Sequence, residues 1–77
     1  MPKVIIYSTP YCVYCKMVKE FFKQNKVEYD EKDVASDVSA REEMISKTGQ
    51  MGVPVIDVQG KIIIGFDQPK LKEALGI

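Results

Sequence analysis

Val4-Ile5-Ile6-Tyr7 is an unbroken β-branched and aromatic run, which suits a strand buried on both faces in the middle of a parallel or mixed sheet. It stops at Ser8-Thr9-Pro10. Over residues 15–24 the apolar residues Met17, Val18, Phe21 and Phe22 form one stripe of an amphipathic helix, with Lys16, Lys19, Glu20 and Lys23 outside it. Asn25 is placed to end that helix in left-handed geometry. Val27, Tyr29 and Glu31 then alternate with Glu28, Asp30 and Lys32, the period-two pattern of a half-exposed strand near a sheet edge. A parallel β-α-β unit follows.

Ser39-Ala40-Arg41-Glu42 matches a capping box and predicts a short second helix through Lys47, with Met44 and Ile45 facing inward and Gly49 closing it. Residues 53–58 and 61–64 flank Gln59-Gly60, so these strands are expected to pair as an antiparallel hairpin. Asp67 can cap a last helix that has Pro69 in its first turn and Leu71, Ala74 and Leu75 on its inner face. The order β-α-β-α-β-β-α predicts an α/β fold, a four-stranded mixed sheet flanked by three helices. No linker-like stretch or internal repeat divides residues 1–77, so a single domain is expected.

A domain of 77 residues hides only roughly 60–65% of the surface its unfolded chain exposes, so the core is small. The chain has no histidine, which removes Ser-His-Asp and Cys-His catalysis and zinc sites built on imidazole. Eleven basic residues balance eleven acidic ones, leaving no basic field to attract nucleic acid. No apolar run approaches the ~20 residues of a membrane helix, and Met1-Pro2-Lys3 leads in without a signal-peptide core. A cytoplasmic monomer without nucleic-acid or membrane partners is expected. The charge is nevertheless uneven: residues 1–26 hold five lysines against Glu20, and residues 27–43 hold seven acids against Lys32 and Arg41. The lysines fall on the side of the cysteines.

Those cysteines, the only two, form Cys12-Val13-Tyr14-Cys15 between the buried strand and the first helix. Backbone N–H groups at a helix start lack intrahelical partners, so a sulfur there is favoured as thiolate. Cys12 is therefore the expected nucleophile and Cys15, further into the helix, the resolving thiol. Lys16 is placed to add positive charge near the Cys12 sulfur, with Lys19 a weaker second. Other readings exist. A structural disulfide across so small a loop would contribute about 2 kcal/mol. Half of a zinc knuckle would need ligands from another chain. Two buried cysteines at chance spacing would be inert.

Tyr7-Ser8-Thr9-Pro10-Tyr11-Cys12-Val13-Tyr14-Cys15, Arg41-Glu42-Glu43-Met44-Ile45, Gly52-Val53-Pro54 and Gly65-Phe66-Asp67, in that order, resemble the glutaredoxins of the thioredoxin superfamily nearly end to end. The resemblance implies the thioredoxin fold and a cis Val53-Pro54 bond beside Cys12. It also implies a substrate or glutathione site made from Thr9, Tyr11, Val13, Tyr14, Gly52, Val53, Pro54, Gly65, Phe66 and Asp67. There the Val53 backbone would pair with an extended peptide or glutathione. Val13 stands where the family commonly has Pro, Thr9 where many members have Lys, Gly52 where Thr is usual, and Gln68 in place of a second acid. Two of these, Thr9 and Gln68, remove charges that would meet glutathione, although Asp67 remains.

The expectation is a thiol–disulfide oxidoreductase that acts on protein disulfides and glutathione mixed disulfides. It holds no tight cofactor, takes glutathione as a candidate co-substrate, and is recharged by glutathione or thioredoxin reductase. The alternatives are a redoxin recharged by thioredoxin reductase that serves ribonucleotide reductase, an iron–sulfur or metal-binding module, and a binding module without turnover.

Overall fold

The computed structural model describes residues 4–77; the Met1-Pro2-Lys3 lead-in, and Lys3 with it, lies outside them. The elements are β1 (Val4–Ser8), α1 (Val13–Gln24), β2 (Asp30–Asp33), α2 (Val38–Thr48), β3 (Val55–Val58), β4 (Lys61–Ile64) and α3 (Gln68–Leu75). The sheet order is β2-β1-β3-β4. β1 runs parallel to β2 and antiparallel to β3, and β3 pairs antiparallel with β4. This is the mixed sheet expected from the element order and the thioredoxin fold that the resemblance implies, with β1 buried along its whole length.

Side-chain alternation along the sheet separates two cores. Val4, Ile6, Ile56, Val58 and Ile63 face Val18, Phe21 and Phe22 of α1 and Leu71 of α3. Ile5, Tyr7 and Val55 face Ala40 and Met44 of α2, with Val34. The α1–α3 side is the larger and its buried residues are all apolar, whereas the α2 side carries the Tyr7 hydroxyl and its partners.

Several boundaries differ from the sequence-based expectation. α1 begins at Val13, because Cys12 itself serves as its N-cap. It buries Cys15 in the stripe and leaves Met17 42% exposed. Asn25 has φ −100°, and the left-handed residue after the helix is Lys26 at φ 55°. The Asn25 side chain donates to the Phe21 carbonyl at 2.9 Å, which ties it to the last turn. β2 starts only at Asp30, although Val27 and Tyr29 still pack on the α1–α3 core. The cap of α2 is Asp37, whose carboxylate accepts the Ala40 N–H at 3.1 Å, so the helix starts ahead of Ser39. Ile45 is half-buried, and Ala40 joins Met44 inside. β3 begins at Val55, after the cis Val53-Pro54 bond. Gln59 and Gly60 turn the hairpin with φ of 52° and 93°, and Asp67 caps α3.

Candidate functional site

β1 delivers the chain to the sheet end, where Thr9-Pro10-Tyr11 turns into α1 and the Cys12 N–H closes on the Thr9 carbonyl at 3.3 Å. Cys12 has extended backbone angles, φ −92° and ψ 113°, and its sulfur accepts the Cys15 N–H at 3.1 Å. The first cysteine thus occupies the position that Ser or Asp takes at an ordinary helix N-cap. The Cys12 and Cys15 sulfurs are joined as a disulfide, with Cα atoms 5.2 Å apart. Cys15 is 0% exposed, whereas Cys12 is half-buried, so the two sulfurs differ in what can reach them.

Val53-Pro54 reaches the same sheet end from β3. Pro54 is buried, and its carbonyl accepts the Gly65 N–H at 2.8 Å, which fixes the end of β4 against it. The Gln50 side chain clamps Gly52: its Oε1 accepts the Gly52 N–H at 2.6 Å and its Nε2 donates to the Gly52 carbonyl at 3.2 Å. The Gly52 backbone is therefore occupied. Val53, by contrast, makes no backbone hydrogen bond among the described residues.

An open groove of about 500 Å³ brings together Tyr14, Val53, Pro54, Gly65, Phe66 and Asp67, six of the residues expected to bind substrate. Its remaining walls are Ile64, Gln68 and Pro69. The Asp67 carboxylate accepts the Lys70 N–H at 3.2 Å and lies 3.9 Å from the Lys70 ammonium. The other expected residues lie elsewhere. Tyr11 and Val13 are 90% and 68% exposed on the turn and the first residue of α1, and Gly52 is exposed before the groove. Thr9 lines a separate cavity of about 400 Å³ with Ser8, Pro10, Lys19, Glu31 and Asp33. There Glu31 accepts from Lys19 Nζ and from the buried Ser8 hydroxyl, each at 2.8 Å. Those bonds, Lys19's first, hold the Glu31 carboxyl below its ordinary range. Lys19 is thereby neutralised by Glu31, which leaves Lys16, exposed on α1, as the cation near the cysteines without an ion pair among the described residues.

Ile64 is, with Pro69, a groove residue that sequence reasoning missed. It reads as one more member of the apolar Ile62-Ile63-Ile64 run, but it ends an edge strand. Ile62, on the same face, packs on the α2-side core, while Ile64 is 54% exposed.

A disulfide at a helix N-terminus, one sulfur reachable and one buried, beside a groove at the sheet end defines a thiol–disulfide oxidoreductase of the thioredoxin fold. The Glutaredoxin family model matches residues 4–63. The chain belongs to the glutaredoxin family. It is 43% identical over 70 residues to a glutaredoxin-like 8.6 kDa protein in the rubredoxin operon of Clostridium pasteurianum, covering 91% of this chain and 93% of that protein. It is 32% identical over 76 residues to glutaredoxin 3 of Escherichia coli K12, covering 99% and 92%. A solved mutant of the thioredoxin-like protein BC3987 superposes with a TM-score of 0.92 at 36% identity, covering 100% of this chain and 99% of that one.

Proposed function

We propose that the chain reduces disulfides by two-step exchange, with Cys12 as the attacking thiolate and Cys15 as the resolving thiol. The observation that carries this reading is the asymmetry of the pair: Cys12 is half-buried and its sulfur accepts an N–H at the helix start, whereas Cys15 is fully buried. In the reduced protein the same N–H and the helix dipole favour Cys12 as thiolate. That thiolate bonds to one sulfur of the target, whose other sulfur leaves with the electron pair. Cys15 then loses its proton to solvent, bonds to Cys12 and releases the second thiolate. Two electrons pass from the dithiol to the target, and no tightly held cofactor is needed.

The targets are protein disulfides and, in the glutathione-linked version, glutathione mixed disulfides, where a second glutathione can replace Cys15. The setting is the reducing cytoplasm, and the protein acts as a monomer. Recharging by thioredoxin reductase is favoured over glutathione by two features. Thr9 lies outside the groove, and Asp67, the groove's one acid, is engaged by Lys70. A coupled NADPH assay run in parallel with glutathione plus glutathione reductase and with thioredoxin reductase tests the donor.

The roles of the cysteines are tested by substitution. Cys12→Ser should abolish disulfide reduction. Cys15→Ser should stall on protein disulfides as a trapped mixed disulfide and retain activity on glutathione mixed disulfides. Full turnover by Cys12→Ser would refute the assignment.

A further inference from the structure

The loop from α2 to β3 carries Val53 to the redox site with little help from the backbone. The Gly49 N–H bonds back to the Ile45 carbonyl and the Pro54 carbonyl accepts the Gly65 N–H, but residues 50–53 make no backbone–backbone hydrogen bond among the described residues. Side chains take that place. The Thr48 hydroxyl donates to the Met44 carbonyl at 2.8 Å in the last turn of α2 and accepts the Gln50 N–H at 3.3 Å. The Gln50 amide then closes on both backbone groups of Gly52, at 2.6 Å and 3.2 Å. A line of hydrogen bonds thus runs from α2 to the residue before Val53, and the next fixed point is the buried Pro54.

The clamp also accounts for the glycine. Gly52 is not among the residues in left-handed geometry, so no backbone angle demands it. A Cβ at this position would lie 2.6 Å from Gln50 Oε1, closer than such atoms approach, so a side chain here displaces the amide. Gly52 stands where the family usually has Thr, and the missing side chain makes room for Gln50.

Val53 is left with free backbone groups, and it is the residue that the family resemblance aligns with a substrate. A mobile loop must be ordered when substrate binds, whereas one held beforehand on both sides of Val53 need not be. Gln50 does not itself line the groove. Building on the exchange chemistry proposed above, we infer that Gln50 is a positioning residue for disulfide exchange, acting through the Gly52 backbone to hold Val53 in place for the substrate that Cys12 attacks.

The test uses the full chain, pre-reduced, with two reagents. One is a mixed disulfide of thionitrobenzoate with a short uncharged peptide, which lays a backbone along Val53; release of thionitrobenzoate gives its rate. The other is iodoacetamide, which reports the reactivity of Cys12 without spanning the loop. Gln50→Met keeps the length of the side chain and loses both hydrogen bonds. It should slow the peptide reaction about fivefold, as loss of one such bond implies, and leave alkylation within about twofold of wild type. Gly52→Ala should slow the peptide reaction to the same extent, and the double variant no more than either single one, because both remove the same contact. An unchanged peptide rate in Gln50→Met, equal slowing with both reagents, or losses that multiply in the double variant overturns the inference. If either variant does not fold in a thermal melt, the other, read with the two reagents, still decides. No release from the wild type, or release undiminished in Cys12→Ser, instead overturns the exchange chemistry and this inference together.

Discussion

Lys16 and Lys19 lie one turn apart on α1 but meet different fates. Lys19 is held by Glu31 at 2.8 Å, and the same carboxylate also takes the Ser8 hydroxyl. Its charge is answered before it reaches the cysteines. Lys16 is exposed and makes no ion pair among the described residues, so it remains to favour a Cys12 thiolate. Attraction between exposed groups is modest and screened by salt. Lys16→Gln should therefore slow alkylation of reduced Cys12 by about two- to threefold at low ionic strength, and Lys19→Gln by less. An equal or larger effect at Lys19 would show that Glu31 does not neutralise it. The cysteines and both lysines were legible because their spacing on one helix is a local property. Glu31 was not, since it reaches Lys19 from a different strand, and only the β1–β2 register places it beside Ser8. The Gln50 clamp on Gly52 was hidden for a related reason: a side chain folding back on its own loop leaves no periodic trace.

At the scale of elements, the start of α2 separates a motif match from the geometry. Ser39-Ala40-Arg41-Glu42 has capping-box spacing, yet Asp37 holds the cap. The cause is the turn that leaves β2: the Asp37 N–H bonds to the Asp33 carbonyl at 2.9 Å and the Asp33 side chain accepts the Ala35 N–H at 2.9 Å. Helical geometry therefore begins at Val38, and Ser39 lies inside the first turn. Asp37→Ala should cost about 1 kcal/mol in urea unfolding, whereas Ser39→Ala should stay within about 0.5 kcal/mol. The reverse ranking would restore Ser39 as the cap. The element order, the hairpin and the Asp67 cap were all readable, because each rests on a local apolar pattern or a local turn residue, whereas the place of β3 beside β1 is set by long-range pairing. Met17 was misplaced inside the α1 stripe for a physical reason. Cys15 and Val18 already fill the face turned to the sheet, and one position of the stripe is left to the surface.

Across the whole molecule the two faces of the sheet are held differently. The α1–α3 face is an apolar cluster, while α2 is bound to the sheet through a polar network centred on the buried Tyr7. The Tyr7 hydroxyl donates to Glu43 at 2.6 Å and accepts from the Lys47 ammonium at 2.7 Å. Lys47 also reaches Asp57 on β3 at 2.7 Å, and Lys32 on β2 reaches Glu43 at 3.0 Å. Three strands and one helix thus meet in one set of hydrogen bonds, and no buried side-chain nitrogen or oxygen lacks a partner among the described residues. The hydrogen bond from Tyr7 and those from Lys32 and Lys47 hold the Glu43 carboxyl down at about 2, against an ordinary 4.5. A carboxyl depressed in the folded state contributes stability that is complete above the unfolded value and is lost as pH falls through the folded one. Urea stability should therefore decline between about pH 4.5 and about pH 2, with the charge of Glu43 as one source. Glu43→Gln keeps the side-chain shape while removing the titrating group. It should be less stable than wild type at neutral pH and show a shallower decline in that window, the remaining slope coming from Asp57 and Glu31, whose carboxyls are also held low. If the two proteins lose stability in parallel as the pH falls, the network contributes no pH-dependent stability through Glu43, and α2 is held to the sheet by its apolar contacts.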